Sequence, residues 1–336
     1  MVVRRLLFVS IAMMIPVVAF ADAEVSDWTG AKVHLTEGDV VNNRGVKTHY
    51  HTAGTGPLVV LLHGTGGYWF DWRDFLPSLA KQYKVVALSL RGTDESDKPP
   101  AVEDYSGAAV ATDIDAVIRH FGQQKAIIIG SSPGGFFGWY FAMHYPERVE
   151  RLITFGAFHP ANLARAYATS PAQQKAGEYS RDYQENPGAV AEVAKQQTDA
   201  NSPRRRADPP DIHQMWLEAS QRTWWQGFIN FYKANWPHAP YSLDSEVFGG
   251  RGKDYPKVTV PTLVVYGRED RPLPAEALNG LWSWVDSELT MLVLPGRGHT
   301  PQTEIPEFVV PRVLDWLALR IAPKFVYPPT SLIKTP

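Results

Sequence analysis

The sequence predicts an α/β fold: a mostly parallel sheet with helices on both faces and a helical piece inserted between two late strands. Three observations carry this. Short, unbroken runs of β-branched and aliphatic residues, such as Leu58-Val-Val-Leu-Leu62, recur along the chain and read as strands buried on both faces. Segments of helical period separate them. The alternation then stops between about residues 157 and 255, which are polar, aromatic and helix-prone with no buried run. At 336 residues and 44% hydrophobic content the chain can form one large domain with an insertion.

Taken in order, Met1 to Arg5 is basic, Leu6 to Phe20 is apolar, and Ala19-Phe20-Ala21 offers a small-x-small cleavage site. Residues 1–21 therefore read as an export signal; a membrane anchor would be longer and would not contain Pro16. The turn Asn42-Asn-Arg-Gly45 precedes an alternating strand, Val46 to Thr52. Buried strands follow at Leu58–Leu62, Tyr83–Leu88, Lys125–Ile129, Arg151–Phe155, Pro261–Tyr266 and Thr290–Leu294. Tyr105 to Phe121 carries Val110, Ile114, Val117 and Ile118 on one helical face, and Phe136 to His144 reads as a helix. The expected organisation is a core of residues 22–157 and 256–321, a helical lid over 158–255, and an irregular extension over 322–336. The lid holds Arg204-Arg-Arg206, read as a solvated loop, and aromatic residues including Trp216, Trp224, Trp225, Phe228 and Trp236. No internal repeat is evident.

Composition excludes several classes of function. With 33 basic and 35 acidic residues the net charge is −2, which gives no electrostatic footprint for nucleic acid. The absence of cysteine rules out disulfides, a thiolate nucleophile and thiolate metal sites. His49 and His51 alternate with Lys47 on one strand face, but no complementary ligand set is legible. No metal and no cofactor are expected; the expected partner is a medium-sized, partly apolar small molecule, with no stable membrane anchor once the signal is removed.

The chemistry centres on Gly130-Ser-Ser-Pro-Gly134, where a strand gives way to a helix. This is the spacing of a nucleophile elbow, a tight turn that exposes Ser132 at its tip. A serine hydroxyl needs a base, and the base an orienting carboxylate. In chain order the sequence offers Asp270, in Gly267-Arg-Glu-Asp270, and then His299, in Gly296-Arg-Gly-His299. Both follow strand ends, where open α/β sheets keep their sites. Alone, Ser132 and Asp270 read as helix caps and His299 as a loop residue; their order favours a triad. Glu269 is the alternative acid. Ser131 is the alternative nucleophile, although it places Ile129 and Pro133 where the turn wants small residues.

From about Lys32 to Ile321 these motifs resemble the α/β-hydrolase superfamily, which implies an eight-stranded sheet. Leu61-Leu-His-Gly-Thr-Gly-Gly67 resembles its oxyanion loop, implying that the Thr65 or Gly66 N–H faces the oxyanion and that His63 braces the loop. Leu90-Arg-Gly92 is similar to a structural loop of the family. Tyr183-Gln-Glu-Asn-Pro-Gly188 and Gly227-Phe-Ile-Asn-Phe-Tyr232 resemble the lid segments of its epoxide hydrolase branch, which implies that Tyr183 and Tyr232 point their hydroxyls at substrate. Two positions depart from that branch. Its nucleophile is aspartate, where this chain has Ser132. The residue after the nucleophile normally donates its N–H to the oxyanion, and Pro133 has none. The expectation is an exported serine hydrolase acting on an ester, lactone or related carbonyl compound. The alternatives are a ligand-binding or weakly catalytic protein on the same scaffold, or an epoxide-hydrolase-like or lyase variant using His299 and the lid tyrosines.

Overall fold

The structure, a computed structural model, describes residues 23–199 and 208–319. The expected export signal, the Arg204–Arg206 loop and the 322–336 extension lie outside the described residues. Among the described residues nine strands form one sheet: β1 (Ala23–Ser26), β2 (Lys32–Val41), β3 (Lys47–Ala53), β4 (Leu58–Leu62), β5 (Lys84–Leu88), β6 (Ala126–Ser131), β7 (Val149–Phe155), β8 (Thr262–Gly267) and β9 (Leu289–Leu294). Their order is β1-β2-β3-β5-β4-β6-β7-β8-β9. The first three strands and β5 pair antiparallel; from β5 to β9 every pairing is parallel. The eight-stranded expectation is thus one strand short. The extra strand is β1, four residues whose register on β2 runs from Ala23 opposite Leu35 to Ser26 opposite Lys32.

The unbroken apolar runs are explained by a core on each side of the sheet. Val60, Leu62, Val86, Leu88 and Ile128 face one cluster with α2 (Gly107–His120) and α3 (Pro133–His144). Their neighbours Val59, Leu61, Val85, Ala87 and Ile127 face the other. That second cluster includes α1 (Leu76–Leu79) and the C-terminal helix that follows β9. Alternate side chains point to opposite faces, and here both faces are dry.

Between β7 and β8 the described residues form six helices outside the sheet: α4 (Pro160–Thr169), α5 (Pro171–Ala176), α6 (Glu178–Glu185), α7 (Ala189–Thr198), α8 (Pro210–Arg222) and α9 (Trp225–Asn235). After β9 come α10 (Pro301–Glu304) and α11 (Pro306–Ala318). Proline begins most of these helices, where its missing N–H would be unpaired anyway. The Arg91 loop is structural: Arg91 is buried and forms a two-pronged ion pair with Asp113 of α2. No described helix is long and apolar enough to cross a membrane.

Candidate active site

The nucleophile elbow is built by backbone contact as much as by the serine. Ser132 sits between β6 and α3 at φ 53°, ψ −126°, a conformation that L-residues hold only under constraint. Two glycines make the turn possible. A Cβ on Gly134 would lie 2.3 Å from the Leu62 carbonyl oxygen, and one on Gly130 would lie 2.3 Å from the Gly134 oxygen. The start of α3 therefore packs directly on the end of β4, and any larger residue would push the elbow out.

Three loops at the C-terminal ends of β6, β8 and β9 bring the side chains together. Ser132 Oγ lies 2.7 Å from His299 Nε2, and His299 Nδ1 lies 2.7 Å from Asp270 Oδ2. A proton on Nδ1 satisfies both contacts: the ring donates to Asp270 and accepts from Ser132. Asp270 is buried, and its second oxygen accepts the Leu273 N–H at 3.0 Å. It therefore both braces the turn after β8 and partners His299. Glu304 holds the His299 loop by accepting the N–H groups of Gly298 and Thr300.

The sequence alternatives fall elsewhere. Glu269 is exposed and accepts the Gly296 N–H. Ser131 is buried and accepts a hydrogen bond from Gln302 at 2.8 Å. His63 braces the 64–67 loop: its Nδ1 donates to the Gly64 carbonyl at 2.7 Å, and its Nε2 accepts the Leu90 N–H at 3.0 Å. Burial holds this imidazole below its ordinary pKa, so it stays neutral.

The backbone beside Ser132 is unusual. The Ser132 N–H donates to the Phe155 carbonyl at 2.8 Å, and Pro133 has no N–H. Within the elbow, neither residue offers a free donor. Opposite them stands the 64–67 loop, with Gly64 so close that a Cβ there would meet the Ser132 Cβ at 3.2 Å. Tyr232, buried on α9, faces this loop, and its phenol interacts with the side chains of Thr65 and Tyr179. Burial raises the Tyr232 phenol above its usual pKa, so it remains a proton donor at neutral pH. Tyr183, half-buried on α6, packs its ring 5.1 Å from that of Tyr232 and 5.3 Å from that of Phe228. The side chain of Gln197 on α7 lies over Gly66. Gln197 and Tyr179 were not legible as site residues, because their contacts cross between separate elements.

A cavity of about 50 Å³ lies along the loop, walled by Thr65, Gly66, Pro133, Trp225 and Phe228 among others, but not by Ser132 or His299. It occupies the Pro133 side of Ser132.

Residues 57–304 match the family described as the alpha/beta hydrolase fold. Epoxide hydrolase 4 of Mus musculus is 27% identical over 283 residues, covering 80% of this chain and 76% of its own. Epoxide hydrolase 1 of Caenorhabditis elegans is 28% identical, covering 81% and 68%. The structure of an inhibitor-bound epoxide hydrolase from Bacillus megaterium superposes with a TM-score of 0.74 at 25% identity, covering 83% of this chain and 99% of the other. With a parallel sheet carrying an elbow serine, a histidine and an aspartate at its C-terminal edge, the chain belongs to the α/β-hydrolase family and resembles its epoxide-hydrolase branch.

Proposed function

We propose that this protein is an exported serine hydrolase that cleaves an ester, lactone or related carbonyl compound through an acyl-enzyme. One observation carries the reading: the unbroken hydrogen-bond chain from Ser132 through His299 to Asp270, each link 2.7 Å. His299 takes the serine proton as Oγ attacks the carbonyl carbon, then returns it to the leaving group. Asp270 holds the imidazole and balances its positive charge. Water, activated by the same histidine, then releases the acid.

The relatives carry the name epoxide hydrolase, and the nucleophile argues against that reaction by the covalent route. A carboxylate attacking an epoxide carbon forms an ester, which water cleaves at the carbonyl. Serine attacking the same carbon forms an ether with no carbonyl, and turnover stops. Ser132 therefore suits a substrate that brings its own carbonyl. The negative charge that develops there is met by the 64–67 loop: the Thr65 or Gly66 N–H, together with the Thr65 and Tyr232 hydroxyls, which replace the donor that Pro133 lacks. Tyr183 packs edge-on against Tyr232. We read the helices between residues 158 and 255 as a lid whose aromatic inner face selects a partly apolar substrate. No cofactor has a role in this chemistry.

The lid tyrosine pair favours a second reading, in which His299 and the tyrosines open an epoxide with water and without a covalent step. Assays with a p-nitrophenyl ester and a styrene-type epoxide separate the two. Ester turnover abolished in Ser132→Ala supports the serine hydrolase. Epoxide opening that survives this substitution supports the second reading. Export rests on the residue 1–21 pattern; N-terminal sequencing of the protein recovered from a bacterial periplasm is expected to start at Asp22.

A further inference from the structure

Away from the triad, β2 and β3 place two histidines against two carboxylates. Glu37 stands directly opposite His51 in the ladder, and Asp39 directly opposite His49. Both histidines are about nine-tenths buried or more, with side chains 6% and 7% exposed. His49 Nδ1 lies 2.9 Å from Asp39 Oδ1. The Nδ1 proton thus goes to Asp39 and leaves the lone pair on Nε2. That Nε2 atom is buried, has no hydrogen-bond partner, and lies 3.7 Å from Glu37 Oε2. His51 Nε2 lies 3.3 Å from the same oxygen, with its ring stacked on Trp69 at 3.7 Å.

We propose that Glu37, His49 and His51 bind a divalent metal ion of the zinc class. One donor atom from each residue lies within 4.8 Å of the others. Bonds of about 2.0–2.1 Å in a tetrahedron separate ligand atoms by roughly 3.3–3.4 Å, close to both Glu37 distances. Two imidazoles and one carboxylate are a donor set that zinc accepts and that magnesium and calcium, which prefer all-oxygen shells, do not. Asp39 supplies the outer carboxylate that commonly orients a ligating imidazole and fixes its tautomer. A cavity of about 130 Å³ adjoins the three residues and leaves room for water as the fourth ligand. Its other charged walls are Asp94, Glu95, Glu218 and Arg222, and Arg222 is paired with Asp94 at 2.7 Å. The surroundings are acidic and favour a cation. None of these residues belongs to the triad.

The test uses the untagged mature protein, stripped with a chelator and titrated with Zn²⁺ by calorimetry and with Co²⁺ by visible spectroscopy. The expected result is one equivalent of metal, tetrahedral Co²⁺ bands and a raised thermal midpoint. Asp39→Asn is expected to weaken binding by about 10–100-fold, the usual cost of losing such an outer carboxylate. Glu37→Gln and His51→Gln are expected to weaken it at least as much, with circular dichroism confirming the fold. Glu37 is partly exposed, so its variant serves if His51→Gln does not fold. No uptake by the wild-type protein, or uptake unchanged in Glu37→Gln, overturns the proposal.

Discussion

Ser132 is held at a positive φ by the packing of α3 on β4, and the strain has a measurable side. Such a conformation costs about 1–3 kcal/mol in a non-glycine residue. Ser132→Gly and Ser132→Ala both remove the hydroxyl, so they differ mainly in this strain. Ser132→Gly is expected to be the more stable of the two by about 1 kcal/mol, read by denaturant unfolding; equal stabilities would mean that the turn is relaxed. Pro133 makes a second residue-level prediction. Losing one oxyanion donor costs about 10²–10³ in rate in a comparable hydrolase. Pro133→Ala restores an N–H at that position and is expected to raise kcat on an ester roughly ten-fold or more. An unchanged kcat would show that the 64–67 loop and Tyr232 already complete the hole.

Among the elements, α9 matters most to the proposed site because it carries Tyr232 to the 64–67 loop. Tyr232→Phe keeps the ring packing with Phe231 and Tyr183 and removes only the hydroxyl. Ester kcat is expected to fall about ten-fold with little change in KM, the pattern of an interaction made chiefly in the transition state. A change confined to KM would make Tyr232 a binding residue only. How far the elements were legible depended on how local their signal is. β4 and β6 announce themselves by unbroken apolar runs; β2 does not, because exposed Lys32, His34 and Thr36 alternate with less exposed residues. The elbow serine, the aspartate and the histidine could be picked from their places after strand ends. The contact of Tyr232 with Thr65, and the pairing of Glu37 with His51, depend on packing and register between segments, which one sequence does not encode locally.

For the molecule as a whole, buried neutral histidines tie stability to pH. His159 is fully buried, stacked on Trp284, and hydrogen-bonded to the Pro256 carbonyl through Nε2. Burial, only partly opposed by that hydrogen bond, holds its pKa down to about 3 from 6.5. The unfolded chain takes up a proton below about 6.5 while the folded chain does not, so this contribution is complete above 6.5 and is lost as pH falls toward 3. The thermal midpoint is expected to drop steadily from pH 7 to pH 4, with a shallower slope in His159→Gln; identical slopes would assign the acid sensitivity to other groups. The same scale frames function. The fold is shared with proteins named epoxide hydrolases, whereas the elbow residue here is Ser132, and a shared scaffold does not fix the reaction. The most direct measurement is intact mass after exposure to a fluorophosphonate. The account predicts one adduct per chain on Ser132, absent in Ser132→Ala and slowed in His299→Ala. A folded wild-type protein that gains no mass, or that is labelled equally in Ser132→Ala, would contradict it.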